Sequence, residues 1–310
     1  MSDASDVTTP RPMRRWWTYQ RERFPLAVYG PLVAVFSLGA LGHSARLRDG
    51  FLPEWPAGAV AFVVVLGFFL LLRIADEFKD AEKDARHRPY RPVPRGLVSL
   101  RELGGLGAGV ATTQLGLTLW LDPQVTLVLL AAWAYFGLMS VEFFVPDWLE
   151  PRLGLYTASH MVILPLIALV ATACDWAVAG ARPPATVGWF LAASYANGLV
   201  LEVGRKIRAP ADEEAGVETY SKRWGRPRAV AVWGGALLAA GLLSLVAAEQ
   251  VGAGRWAAAV LGVVGLGASG IAARFLAAPT SAWAGAIEQC AGVWLLASYG
   301  SMGLLPLAVA

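Results

Sequence analysis

Long apolar blocks are the feature of this sequence that most limits its fold. Stretches of about 20 residues with few charges recur along the chain, and each is bounded by charged residues or by proline and glycine. The 310 residues are 56% hydrophobic and 16% charged, with a mean hydropathy of +0.51. Because lipid offers no hydrogen bonds to the backbone, such blocks cross a bilayer as helices. We therefore predict an all-α, polytopic membrane protein.

Nine of these blocks have the length and composition of membrane spans. Their approximate limits are 25–45, 57–78, 98–120, 123–144, 154–177, 185–204, 228–248, 255–275 and 283–305. Residues 1–20 begin polar, contain proline and lack the apolar core of a signal peptide, so we predict a disordered cytoplasmic tail there. Residues 21–310 then form a single transmembrane domain, with about nine helices around a cavity that opens to the cytoplasmic side.

Lysine and arginine determine the predicted orientation. Most of them lie in the N-terminal tail, in the connection between the second and third spans, and in the connection between the sixth and seventh spans. Cytoplasmic loops carry an excess of these residues, so all three regions are placed in the cytoplasm. With nine spans in the cell membrane, the N-terminus is cytoplasmic and the C-terminus lies outside. The net charge of +3 follows from this bias and requires no nucleic-acid partner.

The segment after the second apolar block carries a cluster of acids. Asp76, Asp80 and Asp84 recur every four residues, so a helix places them in one sector, with Glu77 at its border. Clustered carboxylates attract a hard divalent cation. Spacing alone is equally compatible with a solvated helix whose acids are offset by neighbouring lysines.

Arginines and a turn follow this acidic helix. Arg91 and Arg95 lie in a stretch that is rich in proline and glycine, and arginine binds phosphate oxygens through paired hydrogen bonds. A carboxylate cluster beside these cations at a membrane surface favours a metal-bound diphosphate over the solvated helix.

A second polar stretch follows the sixth apolar block and has a similar mixture of charges. Glu202 precedes the cations Arg205, Lys206 and Arg208, and Asp212 follows them. Lysine offers a point charge to phosphate where arginine offers two hydrogen bonds. We therefore predict that the two polar stretches contribute to one site.

Other polar and aromatic residues fall at the same predicted depth. Glu142 either faces a polar cavity or extends to the interface, and these alternatives have equal weight. His160 is more typical of a hydrogen-bonded packing residue than of a ligand. Aromatic rings at this depth are more typical of packing than of contact with a carbocation. They are Tyr135, Phe136, Phe143, Phe144, Tyr156 and Tyr195.

The first polar stretch resembles a known motif. Asp76-Glu77-x-x-Asp80-x-x-x-Asp84, with Arg91-Pro92-Val93-Pro94-x-Gly96-Leu97-Val98-Ser99 after it, resembles the first aspartate-rich motif of the UbiA superfamily of intramembrane prenyltransferases. That family has an asparagine and an aspartate where this chain has Asp76 and Glu77. Glu202-x-x-Arg205-Lys206 is similar to the second motif of the naphthoate-type branch, with a lysine in place of an acid.

The resemblance implies an enzyme that uses Mg²⁺ to ionise an isoprenyl diphosphate and transfers the prenyl group to a lipophilic acceptor of the aromatic class. The residues it assigns are Asp76, Asp80, Asp84 and Glu202 to catalysis, Asp76, Glu77, Asp80, Asp84 and Asp212 to the metal, and Arg91, Arg95, Arg205, Lys206 and Arg208 to the diphosphate.

Two other functions fit the same residues. A terpene cyclase of the same superfamily would use the same ionisation without an acceptor. An ion-coupled transporter would use intramembrane groups such as Glu142, Glu202, Glu288 and His160 as a path. The clustering of ionisable residues at one predicted interface argues against the transporter.

Overall fold

The computed structural model describes residues 12–308, and this part of the chain is helical throughout, without a β-strand. The helices are α1 (Pro12–Arg23), α2 (Leu26–Arg48), α3 (Trp55–Lys79), α4 (Ala81–His87), α5 (Leu100–Leu121), α6 (Pro123–Ser140), α7 (Pro146–Leu149), α8 (Leu153–Met161), α9 (Ile163–Trp176), α10 (Val187–Gly204), α11 (Tyr220–Trp224), α12 (Arg226–Glu249), α13 (Gly254–Ala277), α14 (Ser281–Tyr299) and α15 (Leu305–Ala308). Single 3-10 turns at Glu142–Phe144 and Pro210–Asp212 and a π-helical segment at Gly300–Leu304 join them. The predicted all-α class is confirmed.

Seven helical segments within residues 12–308 are long and apolar enough to cross a membrane. They correspond to α2, α3, α6, the α8–α9 pair, α12, α13, and α14 with its extension through α15. Helices α5 and α10 occupy the other two predicted spans but fall outside this set. The protein is therefore an integral membrane protein, while the predicted count of nine spans is not confirmed.

Helix α1 corrects part of the predicted disordered tail. Residues 12–20 belong to this helix, and residues 1–11 lie outside the described residues. Arg15 forms an ion pair with Glu102 of α5, and Arg23 forms one with Glu77 of α3.

Local capping determines where the helices after the first polar stretch begin. The Ser99 side chain accepts a hydrogen bond from the Glu102 backbone N–H, and the Glu102 carboxylate accepts one from the Ser99 N–H. Asp122 caps α6 in the same way, accepting from the Gln124 N–H at 2.6 Å. Helix α5 therefore starts directly after the arginine-containing turn and holds that turn at the bundle end.

Small residues allow the central helices to approach closely. A Cβ atom added to Gly303 would overlap the carbonyl oxygen of Gly39, so α2 crosses the π-helical segment backbone to backbone. Nearby, the buried Asn197 donates to Ser298 Oγ at 2.8 Å and accepts from Trp294 Nε1 at 3.0 Å. These contacts hold α2, α10 and α14 together below the polar end of the bundle.

Candidate functional site

Acidic residues lie where α3 ends and α4 begins. Asp76 is half exposed, with its Oδ2 3.3 Å from Nη1 of Arg73 on the same helix. Within residues 12–308 the side chain of Asp80 makes neither an ion pair nor a hydrogen bond. Its partial burial, together with the charges of Asp76 and Asp84, raises the pKa of the Asp80 carboxyl above its usual value. The predicted acidic sector is thus formed, and its charges repel one another.

Two buried acids of the same segment already have cationic partners. Asp84 is 3% exposed, and its Oδ2 lies 2.6 Å from Nη1 of Arg91 while its Oδ1 lies 3.4 Å from Nη1 of Arg88. Glu77 is 2% exposed and pairs with Arg23. In this conformation Asp84 anchors the arginine-containing turn and Glu77 anchors α1.

The remaining acids suit a magnesium ion that also binds a substrate. No group of three or more His, Cys, Asp or Glu side chains within the described part of the chain is arranged to hold a metal by itself. Magnesium usually binds through one or two carboxylates plus phosphate and water oxygens. Asp76 and Asp80 provide such a donor pair, and a cation there would relieve the repulsion that raises the pKa of Asp80.

The second polar stretch places a buried carboxylate between two cations. Glu202, in the last turn of α10, is 6% exposed, with its Oε2 2.7 Å from Nε of Arg205 and its Oε1 2.7 Å from Nζ of Lys206. The charge of Glu202, and after it that of Asp76, raise the pKa of the Arg205 guanidinium above its usual value. Arg205 therefore lies between acids of α3 and α10, and the ends of these two helices meet as predicted.

The connections that follow the two helices also touch. The Tyr90 hydroxyl donates to the Glu214 carboxylate at 2.8 Å, and Nε of Arg88 lies 3.6 Å from the same carboxylate. A Cβ atom on Gly216 would overlap the His87 ring, and the φ of 74° at this position also requires glycine. The two polar stretches therefore cover one end of the bundle together.

Three predicted site residues pair with other helices at the polar end of the bundle. Arg95 pairs with Glu22 of α1 at 2.8 Å, and Nη1 of Arg208 lies 3.4 Å from the Glu288 carboxylate. Asp212 accepts a hydrogen bond from Ser281 Oγ at 2.7 Å, at the start of α14. The structure thus joins these residues to neighbouring helices and not to Asp76 or Asp80.

A small cavity of about 40 Å³ lies beside Asp76, between α3, α6 and α8. Lys79, Tyr156 and His160 line it. Lys79 donates to both the Glu142 carboxylate and the Tyr156 hydroxyl. Glu142 is 5% exposed, so of the two predicted alternatives it faces the polar interior.

This group was only partly visible in the sequence. The sequence indicates Glu142 and His160 as intramembrane polar residues, but it gives Lys79 only the role of one of the lysines that offset the neighbouring acids. Lys79 follows Asp76 by three residues, and that spacing places both side chains on the same side of α3. Their shared cavity shows that Lys79 belongs to the site.

The fold and the site together define an integral membrane protein with acidic and basic groups gathered at the ends of two helices. The sequence model of the UbiA prenyltransferase family matches residues 33–286. The chain therefore belongs to the UbiA prenyltransferase family.

Solved structures show the same fold. The apo structure of a UbiA homologue from Aeropyrum pernix K1 aligns with a TM-score of 0.62 at 16% identity, covering 89% of this chain and 95% of that one. A structure of digeranylgeranylglyceryl phosphate synthase aligns with a TM-score of 0.54 at 16% identity, covering 94% and 99%. No curated protein matches the sequence.

Proposed function

We propose that this chain is a Mg²⁺-dependent prenyltransferase that ionises an isoprenyl diphosphate and transfers the prenyl group to a lipophilic acceptor of the aromatic class. The observation that carries the proposal is the proximity of Asp76 at the end of α3 to Arg205 directly after α10, with Asp80 next to Asp76 as a second carboxylate. Family membership supports a prenyltransferase-type enzyme, and the acid and base pattern supports a diphosphate ligand.

Asp76 and Asp80 are proposed to hold the magnesium ion. The bound ion supplies positive charge to the diphosphate and makes it a better leaving group. Asp84 and Glu77 then act by keeping Arg91 and α1 in place, because both acids are buried against arginine. The same pairing means that Asp84, Glu77 or Asp212 would bind the metal only after exchanging its present partner.

Arg205 and Lys206 are proposed to bind the diphosphate. Their side chains are 38% and 34% exposed, so both can reach a ligand while they contact the buried Glu202. Preorganised cations at the position of the developing negative charge stabilise the leaving group without reorientation. Arg91 is a further candidate, since its side chain is 20% exposed while it pairs with Asp84.

Aromatic rings beside the cavity are proposed to shield the prenyl cation from water. Tyr156 stacks on His160 with ring centroids 3.9 Å apart, and Phe143 lies edge-on to His160 at 6.0 Å. Aromatic faces attract cations, and an apolar cavity excludes the water that would capture the cation.

The test is release of diphosphate by the purified chain in lipid nanodiscs. Geranyl, farnesyl and geranylgeranyl diphosphates are each supplied with Mg²⁺, and a chelator is added to a parallel sample. We expect diphosphate release with at least one chain length and its loss on chelation. The proposal is contradicted if the chelator does not change diphosphate release, or if no substrate gives diphosphate release.

The alternative within the family is a terpene cyclase that needs no acceptor. Lys206 stands where the second motif of the family has an acid, so the site is atypical. This difference is the reason to test the cyclase beside the transferase. Cyclic hydrocarbon formed without an acceptor supports the cyclase. A prenylated product from an added lipid extract, with no cyclic product in its absence, supports the transferase.

A further inference from the structure

Glu142 and His160 form a buried pair that the binding of metal and diphosphate does not use. They are 5% and 8% exposed, and Oε2 of Glu142 lies 3.2 Å from Nε2 of His160. Neither of these two atoms has an aligned hydrogen-bond partner within residues 12–308. Buried polar atoms without partners are uncommon and unfavourable, so this pair calls for an explanation in the chemistry of the site.

The hydrogen bond on the other side of the ring determines which nitrogen can accept a proton. Nδ1 of His160 lies 2.8 Å from the carbonyl oxygen of Tyr156. A carbonyl oxygen only accepts, so Nδ1 carries the hydrogen in the neutral ring. Nε2 then has a free lone pair, and it is the atom that faces Glu142.

The backbone around Glu142 is held in a rare conformation that directs the carboxylate inward. Glu142, Phe143 and Phe144 have φ values of 51°, 53° and 62°, in the left-handed region that side chains other than glycine seldom adopt. Such strain persists only where the surrounding structure enforces it, and it is concentrated at functional sites. Here it places Glu142 against both Lys79 and His160.

Charged groups from three helices surround this pair. Lys79 of α3 binds Oε1 of Glu142 and the hydroxyl of Tyr156 of α8, while Asp76 shares the cavity with His160. Glu202 of α10 pairs with Lys206, which follows this helix, at 2.7 Å. Because Lys79 pairs with Oε1, the Oε2 atom of Glu142 is left to stabilise positive charge on His160.

We infer that His160 is the catalytic base that accepts the proton released when the prenyl cation is quenched, and that Glu142 is its positioning residue. This inference rests on the proposed function. The C–O bond breaks and its electron pair leaves with the diphosphate. An acceptor carbon then bonds to the cation and loses its hydrogen as a proton to Nε2. Without an acceptor, a C–H bond next to the cation supplies its electron pair to a new C=C bond, and the proton again goes to Nε2.

Protonation would turn the unaligned contact into an ion pair. An Nε2–H group 3.2 Å from a carboxylate oxygen is within reach of a charge-assisted hydrogen bond. The cavity holds about one water molecule, so the reacting carbon reaches His160 only when side chains move. Lys79 lines this cavity and has a flexible stem.

The test measures whether the prenyl cation loses a proton or captures water. It therefore requires no knowledge of the acceptor. Of geranyl, farnesyl and geranylgeranyl diphosphates, the one that the wild type cleaves fastest is supplied with Mg²⁺ and without acceptor to the wild type and to His160→Gln in nanodiscs. Hydrocarbon, which forms when the cation loses a proton to a base, is compared with alcohol, which forms by water capture. We expect the ratio of hydrocarbon to alcohol to fall at least ~10-fold in His160→Gln, while diphosphate release stays within ~3-fold of wild type.

His43→Gln is the matched control. Like His160, His43 is buried, and its Nδ1 lies 2.9 Å from a backbone carbonyl, that of Met302. Within residues 12–308 its Nε2 also has no hydrogen-bond partner. It packs on Phe190 and lines no part of the cavity beside Asp76. We expect His43→Gln to leave the ratio of hydrocarbon to alcohol unchanged.

Each other outcome overturns the inference in a recognisable way. An unchanged ratio in His160→Gln, equal losses of diphosphate release and hydrocarbon, or a wild type that yields alcohol alone excludes His160 as the base. If His160→Gln does not fold, Glu142→Gln serves instead, with an expected fall in the ratio of ~3-fold or more, and a wild-type ratio there excludes the pair. A wild type that releases no diphosphate from geranyl, farnesyl or geranylgeranyl diphosphate refutes the proposed function itself.

Discussion

The two polar stretches contain similar residues but differ in how their charges are paired. At the end of α3, Asp80 has no partner within residues 12–308 and its charge is opposed by neighbouring acids. At the end of α10, Glu202 is buried between Arg205 and Lys206 at hydrogen-bond distance. The first stretch therefore has negative charge available for a cation. The second has excess positive charge available for an anion.

This difference shows that composition alone does not assign roles to a charged loop. An acid with buried partners has already used its charge within the fold, whereas an acid without partners retains it for a ligand. The division of labour between Asp76–Asp80 and Arg205–Lys206 follows from pairing, and the experiments below test it in order of expected effect.

Asp80→Asn is expected to have the largest effect. Removing the unpartnered carboxylate should reduce Mg²⁺-dependent diphosphate release at least ~100-fold, since metal charge stabilisation amounts to several kcal/mol. Glu82→Gln, in the same acidic segment but highly exposed and paired only with Arg86, is the matched control and should be near wild type. Equal activity of Asp80→Asn and the wild type would show that Asp80 does not bind the metal.

Lys206→Met is expected to have the next largest effect. It removes one of the two cations beside Glu202 and a proposed contact to diphosphate, so the KM for the diphosphate should rise ~10-fold, which corresponds to about 1.4 kcal/mol. The exposed Lys222 of α11 provides the control, Lys222→Met. An unchanged KM would show that Lys206 does not bind the diphosphate and would leave the arginines as its ligands.

Glu77→Gln separates an acid with a structural role from a metal ligand. The buried pair with Arg23 would be lost, so α1 should dock less firmly and trypsin should cut at its arginines faster. Diphosphate release should remain within ~3-fold of wild type, because the carboxylate is already engaged by Arg23. A loss as large as that of Asp80→Asn would instead identify Glu77 as a ligand.

The smallest expected effect is on stability without metal. The raised pKa of Asp80 means that the folded chain binds this proton more tightly than the unfolded chain, so stability decreases as pH rises through the pKa of the folded state. At pH 7, Asp80→Asn should therefore raise the unfolding temperature of the metal-free protein slightly, by about 2 °C. Thermal unfolding in a chelator checks the sign, and a decrease would contradict the repulsion between Asp76, Asp80 and Asp84. The difference should shrink as the pH falls and disappear below the ordinary pKa of an aspartic acid, where Asp80 is protonated in both the folded and the unfolded chain.

Most of the fold could be predicted because apolar blocks have few alternatives in a bilayer. The exceptions have local causes. Residues 12–20 carry too many arginines to resemble a span, yet ion pairs from this region of α1 to α3 and α5 order them as a surface helix. In the site, helical spacing correctly placed Asp76, Asp80 and Asp84 in one sector, but it could not show that Asp84 is held by arginines seven and four residues later.

The sequence by itself determined the helical membrane architecture and the two charged helix ends, because hydropathy and helical periodicity are local properties of the chain. Only the tertiary structure decided which charges remain available for a ligand. Pairing across elements, such as Glu77 with α1 or Glu142 with Lys79 and His160, depends on distances of a few ångströms between residues far apart in the chain. Such distances arise only when the helices pack.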